Sequence, residues 1–125
     1  METTELIEAI IECAKEVRKH LTPGYEEKIY KNAMYIELCS RNIPIQTEKS
    51  FCVEYKGHVL GEYRADIIAD DRVIIELKAV NALVPIHSVQ LVNYLTATGI
   101  DDGLLINFGS EKIEIRHKSR LYRQQ

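Results

Sequence analysis

An acid and a base interrupt an apolar segment of the sequence, where Glu76 and Lys78 stand among isoleucine, leucine and valine residues. Side chains of a β-strand alternate between its two faces, so Glu76 and Lys78 share one face with Ile74 and Val80. Charges on a strand that is apolar on both sides need compensation, because burying them without partners is costly. Two explanations stay open at this point: a half-exposed strand with a Glu–Lys pair on one face, or a metal ion in a solvated cleft.

The preceding predicted strand shows the same irregularity at Asp66. Alternation places Asp66 on one face together with Arg64 and Ile68. The other face is predicted to be apolar and consists of Tyr63, Ala65, Ile67 and Ala69.

A turn at residues 70–72 would make these two strands neighbours. Pairing centred near residue 71 brings Asp66 opposite Glu76 without requiring a bulge. Carboxylates side by side across a strand pair repel each other unless a cation lies between them. Ligands that are all oxygen favour Mg²⁺ or Mn²⁺ over zinc. The main-chain carbonyl of Leu77 could complete such a metal site against a phosphate. Lys78 would then orient or help deprotonate the attacking water and stabilise the developing charge.

Polar residues at helical spacing supply further candidates. In the second predicted helix, Glu27 and Tyr30 are three residues apart and share a face. The alternative for Glu27 is an ordinary surface ion pair with Lys31, four residues on. In the third predicted helix, three polar residues share one face: His87, Gln90 and Tyr94. The alternative for them is a polar stripe at the rim of the core.

Hydrophobic periodicity and turn signals predict the elements that must position these residues. The predicted helices run over residues 6–21, from just after Gly24 to about Ser40, and over 85–98. The core face of the second helix is predicted to contain Ile29, Ala33, Ile36 and Leu38. The predicted strands are 47–55, 59–69, 73–80, 103–108 and 113–116. The first three form an antiparallel meander, and the fourth, which follows a helix, is expected to be parallel to it.

The order of elements, α-α-β-β-β-α-β-β, predicts an α/β fold with a central mixed β-sheet flanked by helices. A chain of 125 residues with 46% hydrophobic residues is the size of one domain, 1–125. The formal net charge of −3 does not indicate a polyanion partner by itself. The acidic N-terminal residues and the lack of a long apolar run favour a cytoplasmic protein with no membrane contact.

The three cysteines form no C-x-x-C pair, which argues against a zinc knuckle or a disulfide framework. We expect each of them to be a small core residue in a reducing compartment.

Several segments, taken together, resemble the GxxExxY protein family, which is placed in the PD-(D/E)XK nuclease superfamily. The first is residues 24–30, which read Gly-Tyr-Glu-Glu-Lys-Ile-Tyr. The later ones occur in the same order and cover almost the whole chain: residues 61–66, 75–79, 85–91 and 103–109. The superfamily core has the order of elements predicted above.

The resemblance implies roles for the candidate residues. Asp66, Glu76 and Lys78 match the catalytic triad, and Glu27 corresponds to an extra acid on the N-terminal helix that adds to the metal site. Gln90 and Tyr94 look like the Q-x-x-x-Y motif, which borders the catalytic site and contacts the substrate, and Gln90 is expected to be one of the catalytic residues. The residues expected to contact substrate are Tyr30, Arg64, His87 and Tyr94. Ala65 stands where the motif has proline, a common substitution in this superfamily.

The resemblance implies a Mg²⁺- or Mn²⁺-dependent phosphodiesterase that acts on DNA, with RNA as the other substrate to consider. A homodimer would let two sites face the two strands of a duplex. Two other classes of protein stay open. One is a nucleic-acid- or protein-binding module that keeps the fold without catalysis, and the other is a structural domain in which the three charged residues form an ion network.

Overall fold

The protein, whose residues 1–120 are described by a computed structural model, packs three helices against a five-stranded sheet. The helices are α1 (Thr3–His20), α2 (Glu27–Ser40) and α3 (Pro85–Thr98). The strands are β1 (Ile45–Tyr55), β2 (His58–Ala69), β3 (Val73–Lys78), β4 (Asp102–Asn107) and β5 (Glu114–Ser119). The order of elements is the predicted one. Residues 121–125 of the predicted domain lie outside the described part of the chain.

The sheet follows the order of the chain, β1-β2-β3-β4-β5. β1, β2 and β3 form the predicted antiparallel meander. β4 pairs with β3 in parallel, as expected for two strands joined through a helix. β5 is antiparallel to β4 and forms an edge of the sheet.

The sheet is covered on both faces, and β3 shows the predicted alternation. Ile75 and Leu77 pack in the larger core cluster with α1 and α2. Ile74 packs in the second cluster, where Leu91 and Leu95 of α3 cover the other face. β3 therefore lies between two apolar layers, which is why charges near its end require local partners.

The helix α2 presents a different face to the core from the one predicted. Tyr30, Met34 and Leu38 are fully buried, at steps of four residues. Ile29 and Ile36 are 37% and 68% exposed, so their predicted place in the core is wrong. The buried stripe stays on one side of the helix because residues four apart lie above one another.

The strand β2 departs from strict alternation at Asp66. Ile67 and Ala69 pack in the cluster with α1 and α2. Tyr63 and Ala65, predicted to share their face, pack instead in the cluster with α3. The side chains therefore change face around Asp66, and the prediction of one apolar face from Tyr63 to Ala69 is wrong.

The three cysteines are free thiols. Cys13 is buried in α1, as predicted, whereas Cys39 and Cys52 are exposed, which contradicts their predicted place in the core. Cys39 lies at the exposed end of α2 and Cys52 on the edge strand β1. Within residues 1–120, no helix has the length and apolar character needed to cross a membrane.

Candidate active site

Asp66 and Glu76 come together where β2 and β3 stop pairing. The strands pair from Ala69 with Val73 to Ile67 with Ile75, which is the predicted register centred on residue 71. Asp66 and Glu76 are the next positions along, and each side chain belongs to a residue only 9% exposed. Because the main-chain ladder ends there, the two acids sit at a break in the sheet rather than within it.

The carboxylate of Asp66 is held by the backbone of β3. Its Oδ2 accepts a hydrogen bond from the main-chain N–H of Leu77 at 2.9 Å. A carboxylate that accepts from a main-chain N–H is oriented by a charge-assisted hydrogen bond. Asp66 of β2 is therefore hydrogen-bonded to the residue that lies between Glu76 and Lys78 on β3.

Glu76 is held from the other side by two stacked tyrosines. The hydroxyl of Tyr63 donates a hydrogen bond to Oε1 of Glu76. The ring of Tyr63 stacks on Tyr94 of α3, with centroids 3.7 Å apart and planes 11° apart. Tyr94 thus borders the acid pair, although it reaches Glu76 through Tyr63.

Burial and the nearby charge of Asp66 raise the pKa of Glu76 to about 8. At neutral pH the Glu76 carboxyl is therefore mostly protonated when no cation is bound. The acid pair then carries about one negative charge instead of two. A bound cation would relieve the same repulsion and release that proton.

Lys31, considered above only as an alternative surface partner of Glu27, enters this cluster. The ammonium of Lys31, on α2, lies 3.1 Å from Oδ1 of Asp66 and 2.7 Å from Oε1 of Glu48. It pairs with these two acids rather than with Glu27. Burial opposes the charge on Lys31, but the hydrogen bonds to Glu48 and Asp66 outweigh it, so its pKa is raised.

Glu27, the first residue of α2, faces the same group of charges. Much of its surface is open to solvent, yet its pKa is raised by partial burial and by the charge of Asp66, while Lys78 and Lys31 oppose that shift. Lys78, at the end of β3, is half-buried. The fold therefore brings together four of the predicted site residues: Glu27, Asp66, Glu76 and Lys78.

The other two predicted site residues of α3, His87 and Gln90, lie in the first half of the helix. Nδ1 of His87 accepts a hydrogen bond from the main-chain N–H of Val84 at 3.1 Å, so this ring caps the start of the helix. Gln90 is exposed. It lies one turn before Tyr94, on the same face of the helix.

Two of the predicted substrate contacts, Tyr30 and Arg64, differ in their burial. Tyr30 is fully buried, stacks on Phe108 with centroids 4.9 Å apart, and donates its hydroxyl to the carbonyl of Thr22 at 2.6 Å. Its predicted contact with substrate stays a prediction, but in this structure the side chain packs the core and has no exposed surface. Arg64 is exposed on β2, opposite Ser50 of β1.

The segment after Lys78 is fixed by a buried asparagine. Oδ1 of Asn107 accepts from the N–H of Val80 at 3.0 Å, and its Nδ2 donates to the carbonyl of Val80 at 2.9 Å. Glu114 accepts from Nδ2 of Asn107 and from the N–H of Leu83, both at 2.9 Å. These bonds anchor the chain between β3 and α3, and with it the position of Lys78.

Four residues that shape the site were not predicted from the sequence: Lys31, Glu48, Tyr63 as a partner of Glu76, and Asn107. Asn107 had a usable signal, because it is a polar residue at the end of an apolar strand, like Glu76. Lys31 and Glu48 had none, since their pairing depends on how α2 docks on the sheet.

The donor set can be tested for its fit to a metal ion. Among the residues that the structure describes, no three His, Cys, Asp or Glu side chains are gathered closely enough to hold one. The site has two buried carboxylates, with Glu27 beside them, and an ammonium bound to Asp66. Oxygen is the donor that a hard divalent cation such as Mg²⁺ or Mn²⁺ prefers, and Mg²⁺ is commonly held by one or two carboxylates together with water. Glu76 would have to release its proton to take part.

Comparisons with known proteins agree with this fold. A family model for the PD-(D/E)XK nuclease superfamily matches residues 4–119. Among solved structures, the chain is similar to one titled "Crystal structure of SSO0001", with a TM-score of 0.61 and 21% sequence identity. The match covers 78% of this chain and 52% of the other, so this chain spans about half the length of that one. No match was found among the curated proteins.

Proposed function

Because the chain belongs to the PD-(D/E)XK nuclease superfamily, we propose that it is a metal-dependent nuclease that hydrolyses phosphodiester bonds of DNA. The observation that supports this most directly is the placement of Asp66 beside Glu76, with Lys78 two residues further along β3. A binding module gains nothing from two facing acids where the phosphates of a nucleic acid must approach.

The residues that would hold the ion are Asp66, Glu76 and the main-chain carbonyl of Leu77, with Glu27 as an additional acid. When bound, Mg²⁺ or Mn²⁺ supplies positive charge to the phosphate and lowers the pKa of water. The hydrogen bonds from Leu77 to Asp66 and from Tyr63 to Glu76 hold both carboxylates in place before the substrate arrives.

The chain's own residues then act on the substrate. The ammonium of Lys78 orients the attacking water and stabilises the negative charge that develops on the phosphoryl oxygens. Water attacks phosphorus in line with the leaving 3′ oxygen, and the P–O3′ bond breaks. The attacking water gives up one proton to solvent, and the 3′ oxygen takes one up from solvent. The products are a 5′-phosphate and a 3′-hydroxyl. We expect Gln90 to take part in catalysis. We expect Arg64, His87 and Tyr94 to contact the substrate.

The test is a cleavage assay on plasmid and single-stranded DNA with added Mg²⁺ or Mn²⁺. We expect cleavage by the wild type that EDTA abolishes, and a loss of about 100-fold or more in Lys78→Ala. Lys112→Ala is the matched control, because it also removes one positive charge but lies exposed in the loop before β5. It should cleave like the wild type.

The outcomes separate the classes of function. Cleavage by the wild type no greater than that of Lys78→Ala would overturn the nuclease proposal. DNA binding without cleavage would favour a non-catalytic module. Cleavage of RNA but not of DNA would keep the chemistry and correct the substrate. Membership of the narrower GxxExxY family, the homodimer and the cytoplasmic location stay predictions from the sequence.

A further inference from the structure

The ammonium of Lys31 occupies the side of Asp66 that faces α2. It lies 3.1 Å from Oδ1 of Asp66, while Oδ2 of the same carboxylate accepts from Leu77. The side chains of Lys31 and Asp66 are only 17% and 13% exposed. Both oxygens of Asp66 are therefore engaged by the protein itself, one by a fixed positive charge.

A second acid keeps Lys31 in this position. Glu48 lies in β1 directly opposite Asp66, since its neighbours Thr47 and Lys49 pair with Ile67 and Ala65. Its φ of 55° is in the left-handed region, which a residue with a side chain rarely adopts within a strand. Such a conformation persists where the surrounding structure holds it, and it occurs most often at functional sites. Here it accompanies a 2.7 Å contact between Oε1 of Glu48 and the ammonium of Lys31.

A divalent cation bound by Asp66 would lie about 2 Å from a carboxylate oxygen. It would then be close to the Lys31 ammonium, and like charges at that distance repel each other strongly in a partly buried site. Metal binding and the contact between Lys31 and Asp66 therefore oppose each other. Glu48 gives the ammonium a partner that it keeps when its contact with Asp66 is lost.

We propose that Lys31 is a built-in counter-cation that competes with the divalent metal for Asp66 and so sets the metal affinity of the site. Lys31 stabilises the acid cluster before metal binds and weakens metal binding by the same contact. It is a positioning residue for Asp66, not a catalytic one. The proposal rests on the proposed function, since it requires metal to bind at Asp66.

The test is calorimetric titration of Mn²⁺ into the protein without DNA. We expect Lys31→Met, which keeps the length of the side chain and removes its charge, to bind Mn²⁺ about tenfold more tightly than the wild type or better. Lys31→Arg keeps the charge and should bind like the wild type. Lys28→Met is the matched control, because it removes one charge from the same helix, where Lys28 is 72% exposed and lies 3.8 Å from Glu26. It should leave the affinity unchanged.

The outcomes distinguish this proposal from the nuclease proposal. If the wild type binds Mn²⁺ and folded Lys31→Met binds it no more tightly, the competition is overturned while the nuclease proposal stands. If neither protein binds Mn²⁺, both proposals fail. A crystal structure of the wild type with Mn²⁺ is independent of whether the variant folds. It should show the Lys31 ammonium more than about 4 Å from Asp66, and a contact that persists beside the bound ion would overturn the proposal.

Discussion

Oδ2 of Asp66 accepts a hydrogen bond from the main-chain N–H of Leu77 at 2.9 Å, just beyond Ile67 and Ile75, the last pair of the β2–β3 ladder. The Asp66 carboxylate thus accepts a hydrogen bond that a main-chain carbonyl of β2 would accept if the ladder continued. This bond ties an acid on one strand to the backbone between Glu76 and Lys78. The spacing of the site is therefore fixed by the sheet and does not depend on a flexible loop.

The raised pKa of Glu76 predicts how stability depends on pH. The pKa rises from an ordinary value of 4.5 to about 8, so the folded protein keeps a proton that the unfolded chain releases between those values. The free energy of unfolding should therefore fall as pH rises from about 5 to about 8, by at most about 1.4 kcal/mol per pH unit from this one group. Urea unfolding in EDTA at several pH values measures the slope. Glu76→Gln lacks the titrating group and should show a shallower dependence, and equal slopes would contradict the prediction.

Tyr63→Phe removes the hydroxyl that donates to Glu76 and keeps the ring that stacks on Tyr94. We expect a loss of about 1–3 kcal/mol in stability, because a buried carboxyl loses a partner. We also expect cleavage to fall about tenfold, because Glu76 is no longer held in one orientation. Steady-state cleavage of a short duplex measures the second effect. Tyr55→Phe, at an exposed residue at the end of β1, is the control. Unchanged cleavage by Tyr63→Phe would show that the hydroxyl does not position Glu76 for catalysis.

Tyr30→Phe tests whether this buried tyrosine contacts substrate or only packs. The change removes the hydrogen bond that the hydroxyl donates to the carbonyl of Thr22 and the one it accepts from the N–H of Tyr25, and keeps the stack on Phe108. It should cost about 1 kcal/mol of stability and leave the cleavage rate unchanged. Thermal unfolding and a cleavage assay well below the melting temperature measure the two effects. A lower rate in a fully folded variant would support the substrate contact expected from the sequence.

Gly109→Ala should strongly destabilise the protein. A Cβ at Gly109 would fall on the main chain of Val80, with the Val80 nitrogen only 2.5 Å away. The backbone would have to shift, at a cost of about 1–3 kcal/mol or more, and the segment held by Asn107 would shift with it. Gly61→Ala, on β2, is the control, because its Cβ would meet nothing within 4 Å. Chemical denaturation of both variants measures the difference. Similar stabilities would mean that the 79–84 segment is not packed as closely as the structure shows.

The fold was predictable where local patterns had one interpretation. The turn at residues 70–72 fixed the register between β2 and β3, and the helix before β4 fixed its parallel pairing. The face of α2 was not predictable from periodicity, because apolar residues occur on more than one side of that helix. Ile29 and Ile36 fit a helical stripe as well as Met34 does, and only packing against the sheet decides between them.

The candidate site was predictable only where its residues break the pattern of a single strand. Asp66, Glu76 and Lys78 are visible as charges that break an apolar strand pattern. Lys31 and Glu48 are ordinary charged residues in their own segments, and they meet Asp66 through docking of α2 and through an unusual backbone angle. The pattern of one strand contains no information about such contacts.

The parallel pairing of β3 with β4 has a consequence for folding. The meander β1-β2-β3 forms through contacts near in sequence, whereas β4 can add only after α3 has crossed the sheet. We expect the meander, which contains Asp66, Glu76 and Lys78, to assemble first. The hydrogen bonds between Asn107 and Val80 should form last. Until then β3 has an unpaired, apolar edge that other chains can join. The central strand of the finished protein thus has an edge open to aggregation while the protein is being made.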